Sequence, residues 1–224
     1  MIEFDGVSHA YGERTVLREI TLELPEQRIG IVGANGSGKS TLARMINALV
    51  VPDAGTVTIN GVTTARNKRK VRRQVGFIFS DPDRQIIMPT VREDIELSLT
   101  RTDLSKSERR ERAMTVLDRF GLAGHADHPS ARLSGGQKQL LALAAVFVTE
   151  PAIIVADEPT TLLDLRNARM LRKVFSGLDE QLIVVTHDLD LVSDFDRVIV
   201  IDEGRVALDD KPDVALAAYR EMMT

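Results

Sequence analysis

The stretch from Gly33 to Thr41, GANGSGKST, combines the residue types needed to bind an anion. Gly33, Ala34, Asn35, Gly36, Ser37, Gly38, Lys39 and Ser40 fit the pattern G-x-x-x-x-G-K-[ST] in full, and Thr41 follows. Glycines let a backbone curl until successive N–H groups point inward as a cradle for phosphate oxygens. A helix starting near Lys39 adds the positive end of its dipole. Lys39 supplies a compact charge for the β- and γ-phosphates, and the Ser40 hydroxyl is a ligand for Mg²⁺ shared with those phosphates. The plain alternative is a glycine-rich turn between a strand and a helix.

Two further segments carry chemistry. AIIVADEP, residues 152–159, is an apolar run ending in two carboxylates. Asp157 is placed to hold Mg²⁺ through its water shell, and Glu158 to polarise an attacking water as general base. LSGGQKQ, residues 133–139, precedes the apolar LLALAAVFV. Ser134, Gly135, Gly136 and Gln137 there make a second anion site from free N–H groups, a hydroxyl and a helix dipole; alone they would equally be a helix cap.

The elements that position these groups can be read from hydrophobic patterning. Val- and Ile-rich runs recur at IEFDGVS, TLEL, RIGIV, GTVTIN, VGFIF, AIIVA, LIVVT and RVIVID, several of them apolar throughout, as in strands covered on both faces. Helical stretches (KSTLARMINALV and DLRNARMLRKVFSGL) alternate with them, which predicts an α/β fold with a largely parallel sheet. From about residue 81 to 147 no strand is evident, while Ser105 and Glu108 frame a capping box and Gly121 ends the helix that follows. That segment is expected to be a helical insert in a core formed by residues 1–80 and 148–224 of a single domain.

Composition excludes several classes. The net charge of −4 gives no general attraction to nucleic acid, and the basic run RNKRKVRR at residues 66–73 reads as a solvated face, with a nucleic-acid patch as the alternative. There is no cysteine, hence no disulfide or thiolate metal site, in keeping with a reducing cytoplasm. The first residues lack signal-peptide character. The longest apolar run, residues 140–148, is far short of the roughly 20 residues that a spanning helix needs.

Taken in order and spacing, GANGSGKST, LSGGQ, ADEP, LLD and THD resemble the nucleotide-binding subunit of an ATP-binding cassette (ABC) transporter over essentially the whole chain. A phosphate loop alone would not separate kinase, GTPase, motor and transporter ATPase. The resemblance implies a P-loop NTPase (RecA-like) core with an antiparallel β part and an inserted α-helical subdomain, acting as an ATPase with ATP and Mg²⁺. It also implies a head-to-tail homodimer in which each ATP lies between the phosphate loop of one copy and LSGGQ of the other. In that arrangement Asp164 contacts the partner across the interface, and His187 positions the γ-phosphate and the catalytic water. Tyr11, in HAYGE, matches the aromatic that stacks on adenine; a core or edge role is the competing reading.

The chain departs from the family pattern at three places. Ser80 stands after VGFIF where the family has a metal-sensing glutamine, so its contact to Mg²⁺ is expected to run through water. Leu140 replaces a common arginine, and Leu162 replaces a glycine in TTLLD.

The stretch from Ser80 to Leu99 resembles energy-coupling factor ATPases, which power vitamin and cobalt or nickel uptake. The matching residues are Pro82, Asp83, Gln85, Pro89, Thr90, Val91, Glu93 and Asp94. The resemblance implies a groove around residues 85–91 for a helix of a transmembrane coupling subunit, beside a substrate-binding membrane subunit. The expected location is peripheral, on the cytoplasmic face of the cell membrane. In the short segment after RVIVIDEGRVALDD and in Ser80, the chain resembles the ATPase of a dedicated tripartite biotin uptake system, which implies biotin as the expected cargo. The alternatives are a cobalt or nickel system, a soluble cassette acting on nucleic acid or ribosomes, and a nucleotide switch without turnover.

Overall fold

The structure is a computed structural model describing residues 1–223. Two sheets share the work. The first is antiparallel, with strand order β2 (Arg14–Leu24), β1 (Ile2–Tyr11), β4 (Ala54–Ile59), β5 (Val62–Thr63). The second is six-stranded, in the order β10 (Arg205–Asp210), β9 (Arg197–Asp202), β3 (Arg28–Val32), β8 (Gln181–Val185), β7 (Ile153–Asp157), β6 (Val75–Ile78). Its strands run parallel except β10, which closes the edge as an antiparallel hairpin with β9. Strands β3, β7 and β8 are buried on both faces, which explains their unbroken apolar sequence.

This strand order decides where the site lies. β3, β8 and β7 are consecutive neighbours, with Ile31 paired to Val185 and Val185 to Asp157. Their carboxyl ends therefore emerge side by side, and ligands of open α/β sheets bind at such an edge.

Helix α1 (Lys39–Ile46) follows the loop after β3, and α2 (Lys68–Gln74) precedes β6. The basic run expected as a solvated face is thus largely this short helix; Val71 is buried under it, and most of its charges are exposed. Arg72 turns inward and donates to the carbonyls of Asn47 and Ala48, beyond the end of α1. α1 ends four residues before the apolar stretch does, because Ala48 takes a left-handed φ of 53°.

Residues 81–147 contain α3 (Val91–Ser98), α4 (Lys106–Arg119) and α5 (Gly135–Phe147), with short 3-10 turns before α3 and between α4 and α5. Within them, the one backbone bridge of sheet type among the described residues is Thr90 with Pro129. The Ser105–Glu108 capping box forms, and Gly121 follows α4 with φ 69°. α5 is apolar nearly all round because its buried residues share one core with β6–β8 residues such as Ile78, Ile154 and Val184. α6 (Leu165–Ser176) and α7 (Pro212–Met222) complete the helices. Among the described residues, no helix is long and apolar enough to cross a membrane.

Candidate active site

The loop from Gly33 to Gly38 is shaped by close packing as well as by glycine freedom. Gly33 has φ 148°, and a β-carbon on it would collide with the Ile201 carbonyl oxygen at the end of β9. Gly38 has φ 109°, and its β-carbon would meet the Val16 carbonyl of β2 at 2.7 Å. No side chain fits at either position. The Ser37 carbonyl accepts from Gly204 N–H at 3.0 Å, so the β9–β10 turn braces the loop from behind.

Lys39 lies over this loop and donates to the carbonyls of Gly33 and Ala34, both at 2.8 Å. Burial lowers its pKa, and the charges of Glu158 and Asp157 pull it partly back up. Ser40 donates to Asp157 Oδ1 at 2.7 Å. Asp157 is 1% exposed, and its other oxygen takes a 3.4 Å contact from Arg44. A hydroxyl and a carboxylate are hard oxygen donors of the kind Mg²⁺ prefers. Among the described residues, no group of three His, Cys, Asp or Glu could cage a metal ion. The donor set therefore fits an ion that also shares the phosphate oxygens and keeps water.

Glu158 is held with a left-handed φ of 55°, its N–H donating to the Val185 carbonyl at 2.8 Å. That conformation is costly for glutamate and is typical of functional positions. Its carboxylate lies 2.7 Å from His187 Nδ1 and accepts from the Thr186 hydroxyl at 3.4 Å and from His187 N–H at 3.3 Å. β7 and β8 thus deliver the carboxylate and the imidazole together.

A cleft of about 310 Å³ opens over the loop. Tyr11 lines it, half exposed, with Asn35, Gly36, Gly38, Lys39, Ser40, Thr41 and Glu158. The Tyr11 ring packs edge-on against His9, leaving exposed aromatic surface at the mouth. Arg14 also lines the cleft, 3.5 Å from the Gly36 carbonyl.

Other expected site residues lie elsewhere in the chain. Ser134 caps α5 with a full capping box, its hydroxyl accepting from Gln137 N–H and its own N–H donating to the Gln137 side chain. Ser134 and Gly135 are exposed, and a β-carbon on Gly136 would meet the Leu162 carbonyl at 3.3 Å. None of residues 133–137 lines the cleft over the phosphate loop. Asp164 caps α6 by accepting from Asn167 N–H at 2.8 Å. Ser80 is half buried beyond β6 and does not line the cleft.

Sequence reasoning missed Arg44, Thr186 and Arg14. Arg44 was findable, because it lies one helical turn after Ser40 on the same face of α1. Thr186 stands beside His187 in THD and is wholly buried.

Comparison with known proteins identifies the family. A family described as ABC transporter matches residues 17–161. The biotin transport ATP-binding protein BioM of Rhizobium etli is 46% identical over 221 residues, covering 99% of this chain and 98% of that one. The energy-coupling factor transporter ATP-binding protein EcfA1 of Ligilactobacillus salivarius is 36% identical, covering 100% of this chain and 82% of its own. The dimeric post-hydrolysis structure of the ATP-binding cassette MJ0796 bound to ADP and Pi superposes with a TM-score of 0.84 at 32% identity, covering 95% of this chain and 99% of that one. The chain belongs to the ABC transporter family, as an ATP-hydrolysing cassette of the energy-coupling factor type.

Proposed function

We propose that two copies of this chain pair head to tail and drive biotin uptake through membrane-embedded partner subunits, working peripherally on the cytoplasmic face. The observation that carries the pairing is a division within one chain. Lys39, Ser40 and Glu158 line one cleft, with Asp157 bonded to Ser40 and His187 to Glu158, while the turn at Ser134–Gln137, exposed at Ser134 and Gly135, lies outside it. A second copy supplies what the first cannot reach, and a self-complementary pair closes both sites. The dimeric cassette bound to ADP and Pi supports this reading.

In this mechanism Tyr11 offers a ring face to adenine, the loop N–H groups and Lys39 hold the phosphates, and Ser40 and Asp157 hold Mg²⁺. Mg²⁺ held there would supply positive charge beside the phosphates. Glu158 takes a proton from the attacking water, with His187 orienting water and γ-phosphate. Ser134, Gly135, Gly136 and Gln137 of the other copy cover the γ-phosphate, and Asp164 contacts the facing chain. Loss of the γ-phosphate removes the bridge, and the dimer opens. The core of residues 1–80 and 148–224 then carries the nucleotide, and the helical part of residues 81–147 transmits its state.

Transmission to the membrane partner is supported by a groove of about 330 Å³ lined by Phe77, Phe79, Gln85, Ile87, Leu97 and Val146 among others. Ile87 is 74% exposed and Leu49, on the same groove, 40%. Such an apolar trough with a few polar anchors suits an amphipathic helix. Gln85 is one wall, its side chain accepting from Phe79 N–H and donating to the Ala142 carbonyl, both at 3.2 Å.

The test is co-expression with membrane partners followed by uptake of labelled biotin and labelled cobalt. ATP-dependent accumulation of biotin is the expected result. Accumulation of cobalt alone overturns the cargo, and failure to co-purify with membranes overturns the transport role.

A further inference from the structure

Two of the four histidines, His125 and His128, lie outside the catalytic cleft, in the turn between α4 and α5. This turn is tied on one side to the start of α3. Val91 N–H donates to the His128 carbonyl at 3.2 Å, and Arg92 N–H to that of Ala126 at 2.8 Å. The Ser130 hydroxyl donates to the Met88 carbonyl at 3.0 Å. On the other side, His125 Nε2 lies 3.1 Å from Gln137 Nε2. The turn therefore joins the proposed partner groove to the proposed nucleotide-facing turn of α5.

The protonation state of this link follows from its partners. Gln137 Oε1 accepts from Ser134 N–H at 2.9 Å, so the amide presents its NH₂ group to His125. His125 Nε2 must then be the bare, accepting nitrogen, which places the ring proton on Nδ1. That N–H points at His128 Nδ1, 3.0 Å away, and requires it to be bare as well. The two rings meet edge to face with centroids 5.0 Å apart. The whole chain of bonds is consistent only with two neutral imidazoles. A further proton on His125 sets N–H against N–H at Gln137, and one on His128 does the same between the rings.

We propose that His125 and His128 are positioning residues for ATP hydrolysis, holding Gln137 and the Ser134 cap in register while both rings are neutral and releasing them when either is protonated. This rests on the reading that residues 134–137 cover the nucleotide of a second copy. The charged groups around the pair do not substitute for the link. Asp127, in the same turn, is engaged by Arg92 of α3, and this hydrogen bond holds its carboxyl below the usual range, with Arg110 of α4 and then the neighbouring His128 adding to the effect. Arg92 also pairs with Glu96 at 3.0 Å. Lys138, beside Gln137, is turned away to Asp83. Acid thus acts on the turn through its two rings, as imidazoles as a class gain a proton between about pH 7 and 6.

The experiment compares ATP turnover of the full chain from about pH 8 to 5.5 with that of the double variant His125→Gln/His128→Gln, whose amides donate and accept at every pH. His187 is present in both proteins, so the comparison isolates the α4–α5 turn. The expected result is that wild type loses about fivefold more activity on acidification than the variant does. The side-chain amide NMR signals of Gln137 are also expected to move with an imidazole titration in wild type alone. Parallel acid profiles, or Gln137 signals indifferent to pH, overturn the proposal even if turnover at pH 8 is normal. A Gln137→Ala variant as active as wild type at pH 8 instead overturns the reading of the α5 turn on which the proposal rests.

Discussion

Two glycine-bearing turns lead into helices in this chain, one at residues 33–38 before α1 and one at 134–136 in front of and within α5. The first is enclosed by its own chain: carbonyls of Ile201 and Val16 press on Gly33 and Gly38, the Gly204 N–H braces Ser37, and Lys39 ties two carbonyls together. The second faces outward, with Ser134 and Gly135 exposed and a capping box plus one histidine contact to keep its shape. The difference teaches where specificity of assembly resides. A turn fixed by its own fold can hold a nucleotide alone, whereas an open one is completed by what docks on it.

The comparison is tested hardest at Glu158, which belongs to the enclosed half. Glu158→Gln removes the proton acceptor but leaves the phosphate contacts, so turnover should fall by about 10²- to 10⁴-fold while ATP stays bound and the dimer persists on size exclusion. Rapid turnover by this variant would remove the general-base role. Next in size is the contrast between glycines. Gly38→Ala should cost about 3 kcal/mol or more of stability and abolish nucleotide retention, because φ is left-handed and the methyl group meets the Val16 carbonyl as well as the Leu17 side chain. Gly136→Ala needs a shift of only a few tenths of an ångström at Leu162 and should melt close to wild type. Equal melting temperatures for the two variants would erase the distinction between enclosed and open turns.

Ser134→Ala comes third, with a loss of about 1 kcal/mol in thermal or urea denaturation from the missing cap. Its effect on turnover should exceed what that small loss explains, since in the proposed pair the hydroxyl also faces the other copy's nucleotide. The smallest effect is expected at Ser80→Ala. A water-mediated contact predicts a rise of about twofold in the Mg²⁺ concentration needed for half-maximal turnover. An unchanged Mg²⁺ titration would detach Ser80 from the metal altogether.

The sequence exposed those parts of the site that sit in one contiguous segment. A phosphate loop writes its backbone demands locally, as glycines, and β7 writes its own as an apolar run ending in Asp157 and Glu158. The hairpin of β9 and β10 and the α4 capping box are legible for the same reason. Arg44 meeting Asp157, Arg92 reaching Asp127 and His125 reaching Gln137 were not, because each joins elements whose approach is fixed by tertiary packing. Local patterning also overran the end of α1. The apolar residues continue to Val50, but the helix stops where Ala48 turns left-handed and Arg72 of another helix takes the free carbonyls. In α2, charge concealed a short helix whose one buried residue, Val71, gives little periodic signal.

The double tether from Lys39 to Gly33 and Ala34 has a consequence for the working cycle. The two carbonyl oxygens stand in for phosphate oxygens at the ammonium, so the lysine is already held at the loop that its ligand would enter. An entering phosphate would then exchange one set of oxygens for another at a charge already in place.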